Sequence, residues 1–294
     1  MKRKKSGVLL KITTVLVVLA LLTVIISNRF VAVTDYTVES KKLPPAFDGY
    51  KIAVIADLHN TSFGQDNKAL LKRLKNSDPD IVLLAGDMVS TSDTDYSVFF
   101  SLAEKIAAEY DTYFVVGNHE QALGDNRVSL FCQSVESLGV KVLDNQKVAL
   151  ERGKDSIDLY GMWFNLRYYA DRSENASEEE QGYFFNTEAM TEILGSCDNK
   201  RYNILLTHNP VYFEAYASWG ADLTLSGHIH GGMIRLPFLG GIYSPEKIYF
   251  PKYDAGIFND DGKSMVVSRG LGNGNLGFRL FNCPELVIVT LKSQ

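Results

Sequence analysis

From residue 51 onward, unbroken apolar runs alternate with stretches whose apolar residues recur at helical spacing. KIAVIAD (51–57), IVLLAGD (81–87) and TYFVVGN (112–118) are continuous and rich in β-branched or aromatic residues, as strands covered on both faces are. Between and after them, residues 66–76 set Ala69, Leu70, Leu71 and Leu74 at helical spacing, residues 96–110 do the same with Leu102 and Ile106, and residues 128–138 form a third such pattern. This alternation predicts an α/β domain. Past Val140 the period falls to two. KVLDNQKVALERGKDSIDLYGM alternates apolar and polar positions with turn residues between them, as antiparallel strands do. A helix over 187–194, a strand over 202–208, a short helix over 211–216 and a strand over 221–227 follow, then a glycine-rich loop and closing strands near 264–268 and 286–291. Residues 31–50 predict a short first strand and a proline-containing linker ahead of a domain over 51–294. The polar, acidic stretch 170–181 predicts a solvated loop or a helix start. Its Asn175-Ala-Ser triplet is too common by chance to carry weight.

The N-terminus has its own pattern. MKRKK precedes an apolar stretch from Gly7 to Ile26 in which only Lys11 is charged. Such a stretch matches the ~30 Å hydrocarbon thickness of a bilayer at helical rise, and Lys11 is near enough to the basic end to snorkel. A cleaved signal peptide has a shorter apolar core and a small-residue cleavage site, whereas SNRFVAV follows here. The reading is an uncleaved transmembrane signal-anchor over 1–30. Its basic end lies in the cytoplasm and the body outside. Residues 1–30 carry +6 of a net charge of −5, which leaves −11 on the remainder. So acidic a body argues against a nucleic-acid partner. It does not argue against a small anionic substrate, because bound cations can supply local positive charge. Cys132, Cys197 and Cys283 are far apart and read as small apolar filler rather than a metal site.

The candidate chemistry sits where the apolar strands stop. Strand ends carry Asp57-Leu-His59, Gly86-Asp87, Gly117-Asn118-His119-Glu120, His208-Asn209 and Gly227-His228-Ile-His230. Ligands of open α/β sheets bind beyond the carboxyl ends of strands. All five histidines of the chain fall in this set, which core filling does not explain. Imidazole and carboxylate together suit divalent transition metals such as Zn, Mn and Fe. Four histidines, two aspartates and an asparagine amide exceed what one ion needs. They fit two ions sharing a carboxylate, which supply a hydroxide and clamp the oxygens of an in-line phosphoryl displacement. The flanking glycines are expected to let backbone approach the ions and a phosphate.

The ordered set D-x-H, G-D, G-N-H-E, H and G-H-x-H, spread over residues 57–230, resembles the calcineurin-like metallophosphoesterases. GHIHGGMIRLPFLG and SRGLGNGNLGFRLFNCPELVIVTL are most similar to that family's bacterial, membrane-associated, phosphodiesterase-like branch. The resemblance implies a four-layer α/β/β/α sandwich of two mixed sheets. It implies Asp57, His59 and His230 on one metal, Asn118, His208 and His228 on a second, and Asp87 bridging them. By the same resemblance His119 faces the phosphate, stabilising charge or protonating the leaving group. Glu120 is expected either to orient a histidine or to face solvent at a helix start. Asn60 and Asn209 are read as turn or cap residues that also have a phosphate to touch. Arg235 and Arg269 are candidates for a second anionic group on the substrate, with surface salt bridges as their other reading. Leu236, Pro237, Phe238 and Leu239 directly follow the ligand loop. They are expected to pack on the domain's own core, the alternative being contact with a lipid tail. The functional expectation is a two-metal phosphoesterase acting on a diester, with lipid- and cell-envelope-derived esters among the candidate substrates. A catalytically silent scaffold and a nuclease are the alternatives.

Overall fold

The apolar runs become strands because each has two faces to cover. In β2 (Lys51–Ile55) Ile52 and Val54 point into one core while Ala53 and Ile55 point into another. β3 (Ile81–Leu84) repeats this, with Ile81 and Leu83 on the first side and Val82 and Leu84 on the second. The computed structural model describes residues 2–163, 166, 185–274 and 277–294, with the side chains of 2–10, 16 and 20 left aside. The acidic stretch 170–181 and its Asn175 triplet lie outside the described residues.

Two six-stranded sheets stack face to face. The first runs β1 (Ala32–Ser40), β14 (Glu285–Ser293), β2, β3, β4 (Asp111–Phe114), β5 (Lys141–Val142). In it β14 and β2 are antiparallel and the other pairs parallel. The second runs β12 (Gly256–Asp260), β13 (Lys263–Val267), β9 (Leu223–Ser226), β8 (Asn203–Thr207), β7 (Asp155–Met162), β6 (Gln146–Arg152). Its two outer pairs are antiparallel and its inner pairs parallel. Both sheets are therefore mixed. The core between them includes Ile52, Leu83, Tyr113, Leu159, Ile204, Leu225 and Val287. Helices α2 (Lys68–Ser77), α3 (Ser97–Ala107) and α5 (Asp125–Ser137) cover the outer face of the first sheet. Helices α6 (Thr187–Leu194) and α7 (Phe213–Trp219) cover that of the second. These are the four layers implied above.

Two boundaries differ from the sequence reading. β1 is an edge strand paired with β14 along nine positions, and Leu43, Phe47 and Tyr50 after it are buried between the sheets. Residues 31–50 thus belong to the body and are not a free linker. β12 is absent from the sequence reading because its short, half-exposed text (GIFND) sets its two apolar residues side by side rather than in alternation; Phe258 packs on Tyr253. The N-terminal helix α1 (Lys2–Arg29) contains a span, residues 11–29, of mean hydropathy 2.1 whose described side chains are almost all exposed. A buried core helix would not leave them so. The three cysteines are all free thiols.

The aromatic cluster under the first sheet gives the core a test. Phe99 of α3 is fully buried, with the rings of Phe100, Phe114 and Phe131 centred 5.8–6.1 Å away. Phe99→Ala is expected to cost about 3–5 kcal/mol and to lower the melting temperature of the detergent-solubilised chain. Melting unchanged from wild type would show that the cluster is not a structural core.

Candidate metal centre

Five loops leave the carboxyl ends of parallel strands in the two sheets and meet at one place. Asp57 and His59 follow β2, Asp87 follows β3, Asn118 and His119 open the short helix α4 (Asn118–Gln121) after β4, His208 follows β8, and His228 and His230 follow β9. The turns are tight. Asp57, His59, Asp87, His228 and His230 all hold positive φ, between 46° and 71°, a left-handed conformation that non-glycine residues seldom adopt. Strain of this kind persists where surrounding structure imposes it and concentrates at functional sites.

The side chains converge in three overlapping groups. Ligand atoms of Asp57, His59 and His230 lie within 4.8 Å of one another, as do those of Asp87, His208 and His228, and those of His59, Asp87 and His119. Asp87 Oδ2 is 3.1 Å from His208 Nε2 and 3.9 Å from His59 Nε2. Asp57 Oδ1 is 3.6 Å from His230 Nε2 and 3.8 Å from His208 Nε2. The Nε2 atoms of His59 and His230 stand 3.2 Å apart, a separation that two lone pairs do not hold without a proton or a cation between them. The Oδ1 of Asn118 is buried without a hydrogen-bond partner, which a buried acceptor rarely tolerates. Imidazoles, carboxylates and an orphaned amide oxygen together suit divalent transition metals.

The rings are aimed from behind. His208 Nδ1 meets the Ala85 carbonyl at 2.6 Å, so that nitrogen carries the proton and Nε2 turns to Asp87. His59 Nδ1 meets Ser90 Oγ at 3.1 Å. His228 Nε2 lies 3.4 Å from the buried carboxylate of Glu246. His119 Nδ1 accepts from the Thr91 backbone N–H at 3.1 Å, which places the proton of the neutral ring on Nε2. The backbone N–H of His119 donates to Asp87 Oδ1 at 2.8 Å.

Charge is concentrated here. Burial pushes Asp57 up to about 6 despite His208 and His228. Burial also acts to raise Asp87, but the facing His208 outweighs it and holds Asp87 well below the usual carboxylate range. For His208 burial favours the neutral ring, yet the Asp87 carboxylate prevails and lifts it to about 9. Burial keeps His59 at about 4 and His230 well below its ordinary value, the latter helped by the neighbouring His59 and Arg279.

Glu120 plays neither expected part. It is fully buried, and backbone amides occupy it. Its carboxylate accepts the backbone N–H groups of Asp87, Met88, Val89 and Gly117 at 2.6–3.1 Å, tying the Asp87 turn to the Asn118 turn. Arg235 and Arg269 do not reach the site. Arg235 pairs with Asp254 at 3.0 Å and donates to the Gly231 carbonyl. Arg269 holds the buried Glu285 through Nε and Nη2, at 2.9 and 2.7 Å. Asn60 and Asn209 serve turns: Asn60 accepts from the Phe99 N–H, and Asn209 from the Val211 N–H.

Two of the glycines clear space for ligand side chains. A Cβ on Gly227 would stand 2.6 Å from Asp57 Oδ2, and one on Gly86, at φ 84°, 2.8 Å from His208 Nδ1. Sequence reasoning missed Glu246, Thr91, Ser90 and Arg279. Arg279 is wholly buried, donates to the Gly272 carbonyl, and brings Nη2 to 3.3 Å from His230 Nδ1. The glycine-dense text around residues 270–277 was the one available sign that this segment packs tightly on ligands. In front of the cluster lies a cleft of about 400 Å³, lined by Asp87, Asn118, His119, His228 and His230 and by Met233, Tyr243, Pro245 and Lys247.

Comparison with known proteins follows the same residues. The family model for calcineurin-like phosphoesterases matches residues 50–232. A metallophosphoesterase of Aquifex aeolicus is 30% identical, over 92% of this chain and 95% of its own length. The metallophosphoesterase YkuE of Bacillus subtilis is 27% identical, over 90% and 87%. The phosphodiesterase YaeI of Escherichia coli is 27% identical, over 82% of each. With five converging strand ends and a matched segment that spans them, the chain belongs to the calcineurin-like phosphoesterase family.

Proposed function

We propose that this chain is a two-metal phosphodiesterase whose body is held at the outer face of a cell membrane by α1. The observation that carries the reading is the chain of three ligand groups that overlap at His59 and at Asp87, with the unpartnered Asn118 Oδ1 beside them. Asp57, His59 and His230 would hold one divalent ion, Asn118, His208 and His228 the other, with Asp87 shared between them. Such ions supply Lewis acidity and positive charge to a phosphoryl centre.

The chain's own groups then divide the work. Asp87 and Asp57 bring negative charge that the cations balance. Glu120 fixes the backbone of the Asp87 turn through its amide bonds. His119, with Nδ1 engaged by Thr91, presents its Nε2–H to the cleft, placed to donate a hydrogen bond to a phosphoryl oxygen as charge builds there. Lys247 lines the cleft, which Arg235 and Arg269 do not. The apolar wall of Met233, Tyr243 and Pro245 suits a substituent on the phosphate, and the name of YaeI favours a diester. The −11 body still argues against a nuclease. A silent scaffold would have no use for the His119 arrangement.

Two measurements test this. Hydrolysis of bis(p-nitrophenyl) phosphate by the Mn-loaded chain should be abolished by Asp87→Ala. His119→Ala should lower kcat by about 10²–10³-fold at unchanged metal content. Inactivity of the loaded wild type on a broad phosphoester panel would overturn the proposal. Metal uptake should also depend on pH. His208 stays protonated up to about 9 in the metal-free protein, so binding must expel that proton. Apparent Mn affinity should therefore rise roughly ten-fold per pH unit from about pH 7 until His208 titrates, and then level off. Below about 6 the fall should steepen as Asp57 also takes a proton. Calorimetric titrations in two buffers of different ionisation enthalpy would read the released proton, and a pH-independent affinity would contradict the His208 assignment.

A further inference from the structure

The expectation that residues 236–239 pack on the core fails. Arg235–Leu236 and Gly240–Gly241 pair as a small hairpin, β10 and β11. Its turn exposes Leu236 and Leu239 and leaves Phe238 fully in solvent. Phe278, Phe281 and Phe30 are exposed as well. Phe238 and Phe281 also hold positive φ, at 68° and 53°. A bulky residue in that conformation is strained, and an exposed aromatic patch marks an interaction surface.

A continuous run of hydrogen bonds joins these groups to the end of α1. Asn28 exchanges bonds with the backbone of Arg279, at 2.9 and 2.8 Å. The Phe281 N–H donates to Ser27 Oγ at 2.9 Å. One strand further on, Ile234 bridges Leu280 and the Arg235 N–H donates to the Leu280 carbonyl. The apolar span of α1 is 19 residues, 11–29, roughly 28 Å at 1.5 Å per residue, close to the whole ~30 Å hydrocarbon layer. If α1 crosses the bilayer, Ser27 and Asn28 stand at its boundary, and whatever bonds to them stands there too.

We propose that the 236–239 turn, with Phe278, Phe281 and Phe30, inserts into the headgroup layer of that bilayer, so that the cleft takes a phosphate ester carried by a lipid. This rests on the phosphodiesterase reading and on α1 spanning the membrane. The occupant is lipid rather than a second protein because the patch is joined by hydrogen bonds to α1, whose span is apolar enough for hydrocarbon. Aromatic side chains at the water boundary are what a bilayer interface favours. The cleft is next to the patch. Met233 lines it and precedes the hairpin, and Asn282 holds the carbonyls of His230 and Met233 at 2.7 and 3.0 Å.

The test uses the full chain in phosphatidylcholine–phosphatidylglycerol vesicles. Emission from the Phe238→Trp variant, with that of native Trp163 and Trp219 subtracted, should be quenched by lipids brominated high on the acyl chain and protected from aqueous iodide. Quenching by iodide alone would overturn the proposal, and so would protection from both quenchers, the mark of a protein partner. In a second arm, the double variant Phe238→Ser, Leu239→Ser should hydrolyse soluble bis(p-nitrophenyl) phosphate as the wild type does. It should be about ten-fold slower on hexadecyl p-nitrophenyl phosphate held in the vesicles. Equal rates for variant and wild type on both probes, or equal losses on both, would refute a lipid-presenting role. A wild type inactive on the soluble probe, together with lipid quenching of the Phe238→Trp variant, would sink the phosphodiesterase reading and leave the membrane surface standing.

Discussion

The contact between Asp87 and His208, 3.1 Å apart and wholly buried, sets the terms for everything around it. A carboxylate taken out of water needs compensation of several kcal/mol or it takes up a proton. Asp87 obtains that compensation from His208, from the His119 N–H and from its position facing His59. Each partner arrives on a different loop. The compensation therefore exists only when strands of both sheets end at one edge. Sheet order, strand direction and tight turns are all conditions for keeping one charge buried. Glu120 enforces the same condition from below. Its four amide bonds hold two turns in register, although burial and the nearby Asp87 push that carboxyl up to about 7.

Much of this was legible in the sequence, for a physical reason. Strands buried on both faces must be apolar throughout, so β2, β3, β4, β8 and β9 announce themselves. The polar residues that interrupt them are conspicuous because no polar residue is needed there for packing. Asp57, Asp87 and the histidines stand out by contrast with the runs before them. β12 lacked that contrast, and β1 is an edge strand with an alternating, half-exposed pattern. A first strand is legible there, but the proline-containing text after it carries no sign that Leu43, Phe47 and Tyr50 are buried between the sheets.

What the sequence could not give was partnership. Nothing in the text of Glu246, Thr91 or Arg279 ties it to a histidine far away in the chain. Those pairings are made by the return of distant loops to one edge. Charge type alone misled in the opposite direction. Arg235 and Arg269 follow the ligand loops in sequence, yet Asp254 and Glu285 occupy them. A guanidinium that has a carboxylate already has little left to offer a phosphate. Glycine was read correctly as a sign of close approach, but the approaching partner is a neighbouring loop. Gly227 and Gly86 clear space for the Asp57 and His208 side chains, and so act on the site through ligand placement.

The segment 278–283 belongs to two structures at once. On one side it receives Ser27 and Asn28 at the end of α1. On the other, Arg279 and Asn282 meet the side chain and the carbonyl of His230. Arg279 is the largest fully buried side chain of the chain's described part, and burial lowers its pKa to about 10, so it stays charged where displacing it is costly. Hydrogen bonds at a helix end fix direction in a way that apolar contact does not, because they fail beyond a narrow range of angle. The helix and the ligand loop are thus two ends of one short, directional connection.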